Sequence, residues 1–387
     1  MSKAAFVDPA LLKQVKVGRD YVAAKYGFRN HWYPALLSDE LGEADPQTAQ
    51  LCGERILLNR VDGVAYAIKD QCVHKGVPFS KKLECYSKGT VTCWYHGFTY
   101  RFSDGLLVGI VGMPHSNVIG RRHVKSYPVV ERKGVIFVFV GDEGVEPAPL
   151  EHDVPPGFLD EGIVIRGRRQ EVAANWRIGC ENGFDSTHIF IHKDSRLIAD
   201  GDLALPLGLV PTGQESYRVE EEEGGPKGVY DIFSPETVMP VFEGKIGDET
   251  VLMGAPHGKN MLPHTISMWL PCALRVDPWP APHLTQFEWY VPIDGERHTY
   301  FQLIGTKAST AAEEQAFERE YREKWIPSAL DGFNKDDVWA REASQAFYAD
   351  DSGWIREQLF EADANIVKWR RLAAKHHRGL QTPQHIA

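Results

Sequence analysis

Apolar and polar positions change rhythm several times along this chain. Near the start, LLKQVKVGRDYVAAKYG spaces its apolar residues as a short helix does and runs into HWYPALLSDEL. From about residue 46 to 141, short apolar and β-branched runs (RILLNRVDGVAYAIKD, GTVTCWYHGFTYRFSDG, GVIFVFVGD) are punctuated by turn pairs such as Asp62-Gly63 and Asp104-Gly105. That pattern predicts a small antiparallel all-β domain. Pro and acidic residues then displace the apolar pattern from Asp142 to Gly157, which reads as a linker. Beyond it the spacing is helical around Asn175 to His192. It is strand-like over GVYDIFS, TISMWLPCALRV, TQFEWYVPI and HTYFQLIGT, and helical again in two stretches, AAEEQAFEREYREKWIPSAL and the long run opening at DDVWAREA. Without βαβ alternation, this second domain is expected to be α+β, an antiparallel sheet flanked by helices. The expected division is 1–30 (helical lead-in), 31–141 (β domain), 142–157 (linker) and 158–387 (second domain).

Composition narrows the function classes. The 387 residues are 43% hydrophobic and 25% charged, as in ordinary globular proteins. With 43 Lys+Arg against 53 Asp+Glu, the net charge of −10 argues against a general nucleic-acid binder. No run approaches the roughly 18 apolar residues of a membrane span. The first residues mix charges among apolar positions where a secretory signal needs an unbroken run, so a cytoplasmic location is expected. The acidic run Glu220 to Glu223 reads as a solvated loop. Six cysteines (Cys52, Cys72, Cys85, Cys93, Cys180, Cys272) are too scattered for a disulfide scaffold, which leaves metal or redox chemistry for any that matter.

Two of them stand in a pattern. Cys72-Val73-His74 and, after 18 intervening residues, Cys93-Trp94-Tyr95-His96 each follow a strand-like run and precede a glycine, Gly76 or Gly97. Two loops that each offer one thiolate and one imidazole can close on a single centre. Structural zinc usually takes C-x-x-C-type pairs with a separate His pair. A Rieske [2Fe–2S] cluster takes two Cys on one iron and two His on the other, and each loop here supplies one of each. The remaining four cysteines fit no ligand spacing and are expected to be buried structural thiols.

A second constellation, Asp185-x-x-His188-x-x-x-His192, would place all three side chains on one face if the segment were one helix. Two histidines and a carboxylate with open positions suit a mononuclear non-haem iron, a natural electron acceptor for the cluster. A third ligand is sought in Asp336 or Asp337, adjacent carboxylates opening a predicted helix, where Asp336 has the alternative role of an N-terminal cap.

From Asn30-His31-Trp32-Tyr33-Pro34 through both motifs to Asp337, the chain resembles the α subunits of Rieske non-haem iron aromatic-ring-hydroxylating oxygenases. The runs GFRNHWYP, ENGFD with HIFIHKDS, DLALPLG, QFEWYVPID and GFNKDDVWAREA narrow this to the branch acting on carbazole-type heteroaromatics. The resemblance implies an N-terminal Rieske domain and a helix-grip, START-like catalytic domain. It implies Cys72, His74, Cys93 and His96 as cluster ligands, and His188, His192 and Asp337 as iron ligands. Asp337 is preferred to Asp336 because Glu342 follows it by the family's interval. It further implies a homotrimer, with Asp185 bridging His96 of the partner subunit to His188, and a ferredoxin donor served by an NAD(P)H-dependent reductase. The reaction implied is angular dioxygenation with O2 as co-substrate. Gly183, through its carbonyl, and Ile189, Ile266, Leu274, Val276, Trp279, Gln286 and Phe333 are the implied substrate contacts.

From Cys72 to Lys133 the chain holds ten Lys/Arg against three acidic residues, opposite in sign to the whole and suited to steering an acidic ferredoxin. The competing readings are an electron carrier, a metal-free apolar binding protein, and a Rieske monooxygenase or demethylase for another aromatic. A carrier has no use for the residues after the β domain or their His/His/Asp set.

Overall fold

The computed structural model describes residues 6–212, 214–252 and 258–386. It divides into two compact units, one spanning Phe28–Leu150 with the tail from Gln381, the other everything up to Gly27 with Glu151–Leu380. The helical lead-in expected over 1–30, whose first five residues lie outside the described ones, thus belongs to the larger unit. Burial explains this: the Tyr21 ring lies 5.6 Å from Trp176 and 6.2 Å from Trp369, and Trp176 Nε1 donates to the Ala24 carbonyl at 2.8 Å. It is two short helices, Pro9–Leu12 and Arg19–Ala23, separated at Gly18, whose φ of 64° favours glycine. The tail expected in 158–387 joins the smaller unit because Gln381 Nε2 donates to the Cys52 carbonyl at 2.6 Å while its Oε1 accepts from Arg29 at 2.7 Å. The division between the units falls inside the expected 142–157 linker.

The strands of the smaller unit pair antiparallel in three sheets. Gln47–Leu51, Glu54–Val61, Val64–Lys69 and Ser126–Tyr127 form one sheet, and His31–Leu37, Val135–Val140 and Val129–Arg132 a second. Thr90–Thr92, Phe98–Arg101 and Leu107–Ile110 form a third. The Asp62-Gly63 pair turns one hairpin with φ of 52° and 77°, both positive as a two-residue primed turn requires.

The larger unit is built on a seven-stranded antiparallel sheet. Its spatial order is Ile163–Val172, His298–Lys307, Thr285–Pro292, Ala273–Asp277, Thr265–Trp269, Gly228–Ile232 and Tyr217–Glu220. The helices Trp176–Phe184 and Ala364–His376 pack on it, so the architecture is the expected α+β. Asn175 starts the first of these helices: its Oδ1 accepts from Arg177 N at 3.2 Å and its Nδ2 donates to the carbonyls of Lys25 and Gly295. Glycines let that helix approach the sheet. A Cβ on Gly183 would lie 1.9 Å from the Tyr290 hydroxyl, and one on Gly179 would lie 2.8 Å from the same ring.

The two late helical stretches are partly one. A capping box between Thr310 and Glu313 starts Ala311–Glu320, which continues through a π-helical stretch, Tyr321–Phe333, into Asn334–Tyr348. Pro327 sits in the π-helical stretch. Asp336 and Asp337 therefore do not open a free helix, and Asp336 caps none, because Phe333 before them is already helical at φ −66°, ψ −56°.

Candidate metal centres

The two Cys/His loops of the smaller unit have the same backbone. Cys72 N donates to the Val77 carbonyl at 2.9 Å and Cys93 N to the Phe98 carbonyl at 2.7 Å, both five residues on. Gly76 N returns to the Cys72 carbonyl and Gly97 N to the Cys93 carbonyl, each at 2.9 Å. Both glycines hold φ near 70°, which explains why a glycine follows each motif. The thiols end buried and the imidazoles exposed. His74 Nδ1 and His96 Nδ1 are 3.1 Å apart, with the His74 ring stacked on Phe98. Burial pushes the Cys93 thiol up, and Cys72 beside it adds to the rise, so a pair of thiolates here needs a cation. The Tyr100 hydroxyl lies 3.3 Å from Cys72 Sγ, in hydrogen-bonding reach of a thiolate. This donor set fits a [2Fe–2S] cluster, two thiols on the inner side and two imidazoles on the outer. Cys52, Cys180 and Cys272 are buried and in no disulfide, whereas Cys85, expected to be buried, is exposed on the loop between the two ligand loops.

In the larger unit, one atom each of His188, His192 and Asp337 lies within 4.8 Å of the others. Asp337 Oδ1 is 3.1 Å from His188 Nε2 and 3.5 Å from His192 Nε2. Although burial pushes the other way, the His192 and His188 imidazoles hold Asp337 well below the usual carboxylate range. Burial likewise lowers His188, but Asp337 overrides it and lifts the imidazole to about 9. Both nitrogens of buried His192 and Asp337 Oδ1 lack hydrogen-bond partners among the described residues. Buried polar atoms left unpaired are costly unless something binds them, and a divalent cation suits two imidazoles and a carboxylate. Asp336 is half-exposed, with Oδ2 3.4 Å from the other His192 nitrogen, Nδ1.

Asp185 does not share a helical face with the two histidines. The helix ends at Phe184, Asp185 turns extended at ψ 119°, and His188–His192 is a separate 3-10 turn. The Asp185 carboxylate folds back just before that turn, accepting from Thr187 N at 2.7 Å and Thr187 Oγ1 at 2.8 Å. Its carbonyl, not its carboxylate, meets His188 Nδ1, at 2.5 Å.

A cavity adjoins His188 and Asp337. Gly183, Ile189, Ile266, Leu274, Val276, Trp279, Gln286 and Phe333 all lie on its wall. The sheet explains much of this: Ile266 pairs with Val276 and Val276 with Gln286 across three strands, and Leu274 pairs with Glu288 in the next row of that face. Phe333 stacks on His192 with ring centroids 3.6 Å apart and also meets Trp279. An apolar chamber of about 380 Å³ shares Ile189, Leu205, Pro263 and Ile266 with this cavity. Sequence reasoning missed Leu205, Pro263, Glu288, Asn334 and Arg341 on the wall. Two-residue alternation from Gln286 points to Glu288, and the i, i+3, i+7 spacing of Asn334, Asp337 and Arg341 points to the helix residues.

A family profile described as "Homotrimeric ring hydroxylase" matches residues 139–381, and one for the Rieske [2Fe-2S] domain matches residues 31–128. The chain belongs to the homotrimeric ring hydroxylases. As a ring hydroxylase with a Rieske domain, it is a non-haem iron dioxygenase that uses O2 as co-substrate. This ring hydroxylase is 51% identical over 386 residues to the terminal oxygenase component of carbazole 1,9a-dioxygenase from Metapseudomonas resinovorans, covering 99% of this chain and 100% of the relative. The Sphingomonas sp counterpart is 52% identical over 370 residues, 95% of this chain and 97% of the relative. Among solved structures, the terminal oxygenase of carbazole 1,9a-dioxygenase from Novosphingobium sp. KA1 matches with a TM-score of 0.92 at 51% identity, covering 97% of this chain and 100% of that one. The reduced complex between oxygenase and ferredoxin in carbazole 1,9a-dioxygenase gives 0.94 at 51% identity, covering 100% of this chain and 98% of that one. The vanillate O-demethylase oxygenase subunit of a Pseudomonas sp. is 33% identical over 174 residues, only 43% of this chain. No helix among the described residues is long and apolar enough to cross a membrane.

Proposed function

We propose that this ring hydroxylase is the terminal oxygenase of an angular dioxygenase for carbazole-type heteroaromatics, working in the cytoplasm as a homotrimer reduced by a ferredoxin. The observation that carries this reading is the apolar cavity beside His188 and Asp337, supported by half-identity over nearly the full length to carbazole oxygenases. Cys72, His74, Cys93 and His96 would hold the cluster, and His188, His192 and Asp337 the iron. When bound, these centres supply single electrons and O2 activation beside the aromatic ring.

The protein's own residues do the rest. Ile266, Leu274, Val276, Trp279 and Phe333 bind a flat apolar ring and exclude water. The Gly183 carbonyl accepts the substrate N–H, setting the ring carbon bonded to nitrogen and its neighbour toward the iron site. Addition of both atoms of O2 across these two carbons, with two electrons from the ferredoxin and two protons, gives a cis-diol that is a hemiaminal, and cleavage of its C–N bond with rearomatisation opens it to an aminobiphenyl-diol. Asp185 links His96 of the partner subunit to His188 for electron entry. The basic balance of the cluster unit, with Lys75 and Lys81 exposed, draws in an acidic ferredoxin. Cysteines that form no disulfide among the described residues fit a reducing compartment.

Product analysis with carbazole, dibenzofuran and naphthalene, in the presence of a reconstituted reductase and ferredoxin, tests the assignment. Aminobiphenyl-diol from carbazole is the expected result, and a chain that turns over naphthalene but leaves carbazole untouched would refute it. Iron analysis should give about three irons per chain with acid-labile sulfide. Zinc without sulfide would remove both centres.

A further inference from the structure

Along the cavity wall, a line of buried polar side chains connects the core of the larger unit to Asp337. Glu288 lies at its head, buried on the strand Thr285–Pro292 and facing the same way as Gln286 and Tyr290. Its Oε2 accepts from the Tyr290 hydroxyl at 2.5 Å, and its Oε1 from the Tyr300 hydroxyl at 2.6 Å and from Gln286 Nε2 at 2.5 Å. Arg341, lying over the Tyr290 and Tyr300 rings at 4.9 and 4.4 Å, comes within 4.0 Å of Glu288 and donates to Asn182 Oδ1 at 2.5 Å. Glu288 is therefore held on several sides.

We propose that Glu288 is a positioning residue which, through Gln286 and Asn334, sets the orientation of Asp337 and keeps the Gln286 carbonyl oxygen open on the cavity wall. The inference rests on reading Asp337 as an iron ligand. The Tyr290 and Tyr300 hydroxyls and Arg341 already face Glu288 as donors, so its oxygens accept and Gln286 turns its NH2 toward it. The second hydrogen of that NH2 goes to Asn334 Oδ1 at 3.1 Å, which turns the Asn334 NH2 onto Asp337 Oδ2, also at 3.1 Å. Asp337, acceptor-only as well, agrees with this sense from the other end. With Oδ2 occupied, Oδ1 is left facing His188 and His192.

Of the side-chain atoms of Glu288, Gln286, Asn334 and Asp337, Gln286 Oε1 is buried without a hydrogen-bond partner and Asp337 Oδ1 meets only the two imidazoles. A network serving stability alone gains nothing from open ends, because unpaired buried polar atoms cost free energy. One open end faces the metal site, and the other belongs to a residue on the substrate cavity.

The test uses the full-length oxygenase with its mononuclear iron removed, rebinding Co(II) followed by its visible spectrum, with a melting temperature recorded for each variant. Glu288→Gln and Asn334→Leu should each weaken Co(II) binding about tenfold, as loss of a group that orients a ligand typically does. The double variant should bind no worse than Asn334→Leu alone, because both changes cut one relay; independent structural damage would add. Wild-type affinity in Glu288→Gln, or additive losses, overturns the proposal. Should Glu288→Gln fail to fold, Gln286→Met cuts the same line: tenfold weaker binding supports the relay and unchanged binding overturns it. Asp337→Asn separates the two layers of the argument. If it binds Co(II) as tightly as wild type, the ligand reading falls and the relay with it. If it loses Co(II) while Glu288→Gln does not, the relay alone is wrong.

Discussion

The carbonyl oxygen of Asp185 lies 2.5 Å from Nδ1 of His188, while the carboxylate of the same residue is engaged by Thr187. Nδ1–H donation to the carbonyl leaves Nε2 as the free nitrogen that faces Asp337. Asp185→Asn keeps both the carbonyl and an oxygen for Thr187. It should therefore retain wild-type iron content and yet lose turnover by on the order of 10–100-fold, the range for residues that act through a metal ligand. Iron content measured beside coupled O2 consumption checks this, and full activity would remove Asp185 from the electron path.

Gly183→Ala should destabilise the larger unit. Alanine would favour the helix by about 1 kcal/mol over glycine. The new Cβ, however, would meet the Tyr290 hydroxyl at 1.9 Å, and overpacking of this kind costs roughly 1–3 kcal/mol. The clash outweighs the propensity. Thermal denaturation should show a lowered Tm, partly restored in Gly183→Ala/Tyr290→Phe.

Tyr100→Phe removes the hydroxyl beside Cys72 Sγ and leaves the ring in the core. A hydrogen bond to a thiolate strengthens as the cluster gains negative charge, so its loss should lower the reduction potential. A differential of about 1 kcal/mol corresponds to roughly 40 mV for one electron. Redox titration of the variant at unchanged iron and sulfide content measures the shift, and an unchanged potential would mean the hydroxyl does not tune the cluster.

His298 gives the stability of the larger unit a pH dependence. Burial pushes this imidazole down to about 3, with Arg341 adding to the effect, while its Nδ1 lies 2.7 Å from the Ala174 carbonyl. The folded value is depressed, so its stabilisation is complete above the unfolded value near 6.5 and is lost as pH falls from there toward 3. At pH 4.5 the loss is roughly 2–3 kcal/mol. His298→Gln should be less stable at pH 8 yet fall less steeply between pH 6.5 and 4.5. Parallel wild-type and variant melting curves against pH would contradict this.

What was legible in the sequence was the chemistry that local spacing carries. Cys72 with His74 and Cys93 with His96 each sit within one short loop, and the loop's five-residue backbone closure and positive-φ glycine are local features. Strand rhythm and turn pairs likewise predicted an all-β unit before an antiparallel sheet with helices.

Tertiary structure decided what depends on residues far apart in sequence. Regular spacing suggested one helix through Asp185, His188 and His192, but the Asp185 side chain captured Thr187 and ended it. Between Asp336 and Asp337, adjacency gave no choice from the residues themselves; the helical turn buries Asp337 against both imidazoles and leaves Asp336 half in solvent. The first residues and the last exchange units because Tyr21 and Gln381 find their partners there. Glu288 read as an ordinary strand residue. Only pairing of its strand with its neighbours, and the hydrogen bond of Gln286 to Asn334, shows that it is linked to Asp337, because buried polar groups must find partners wherever the fold brings them.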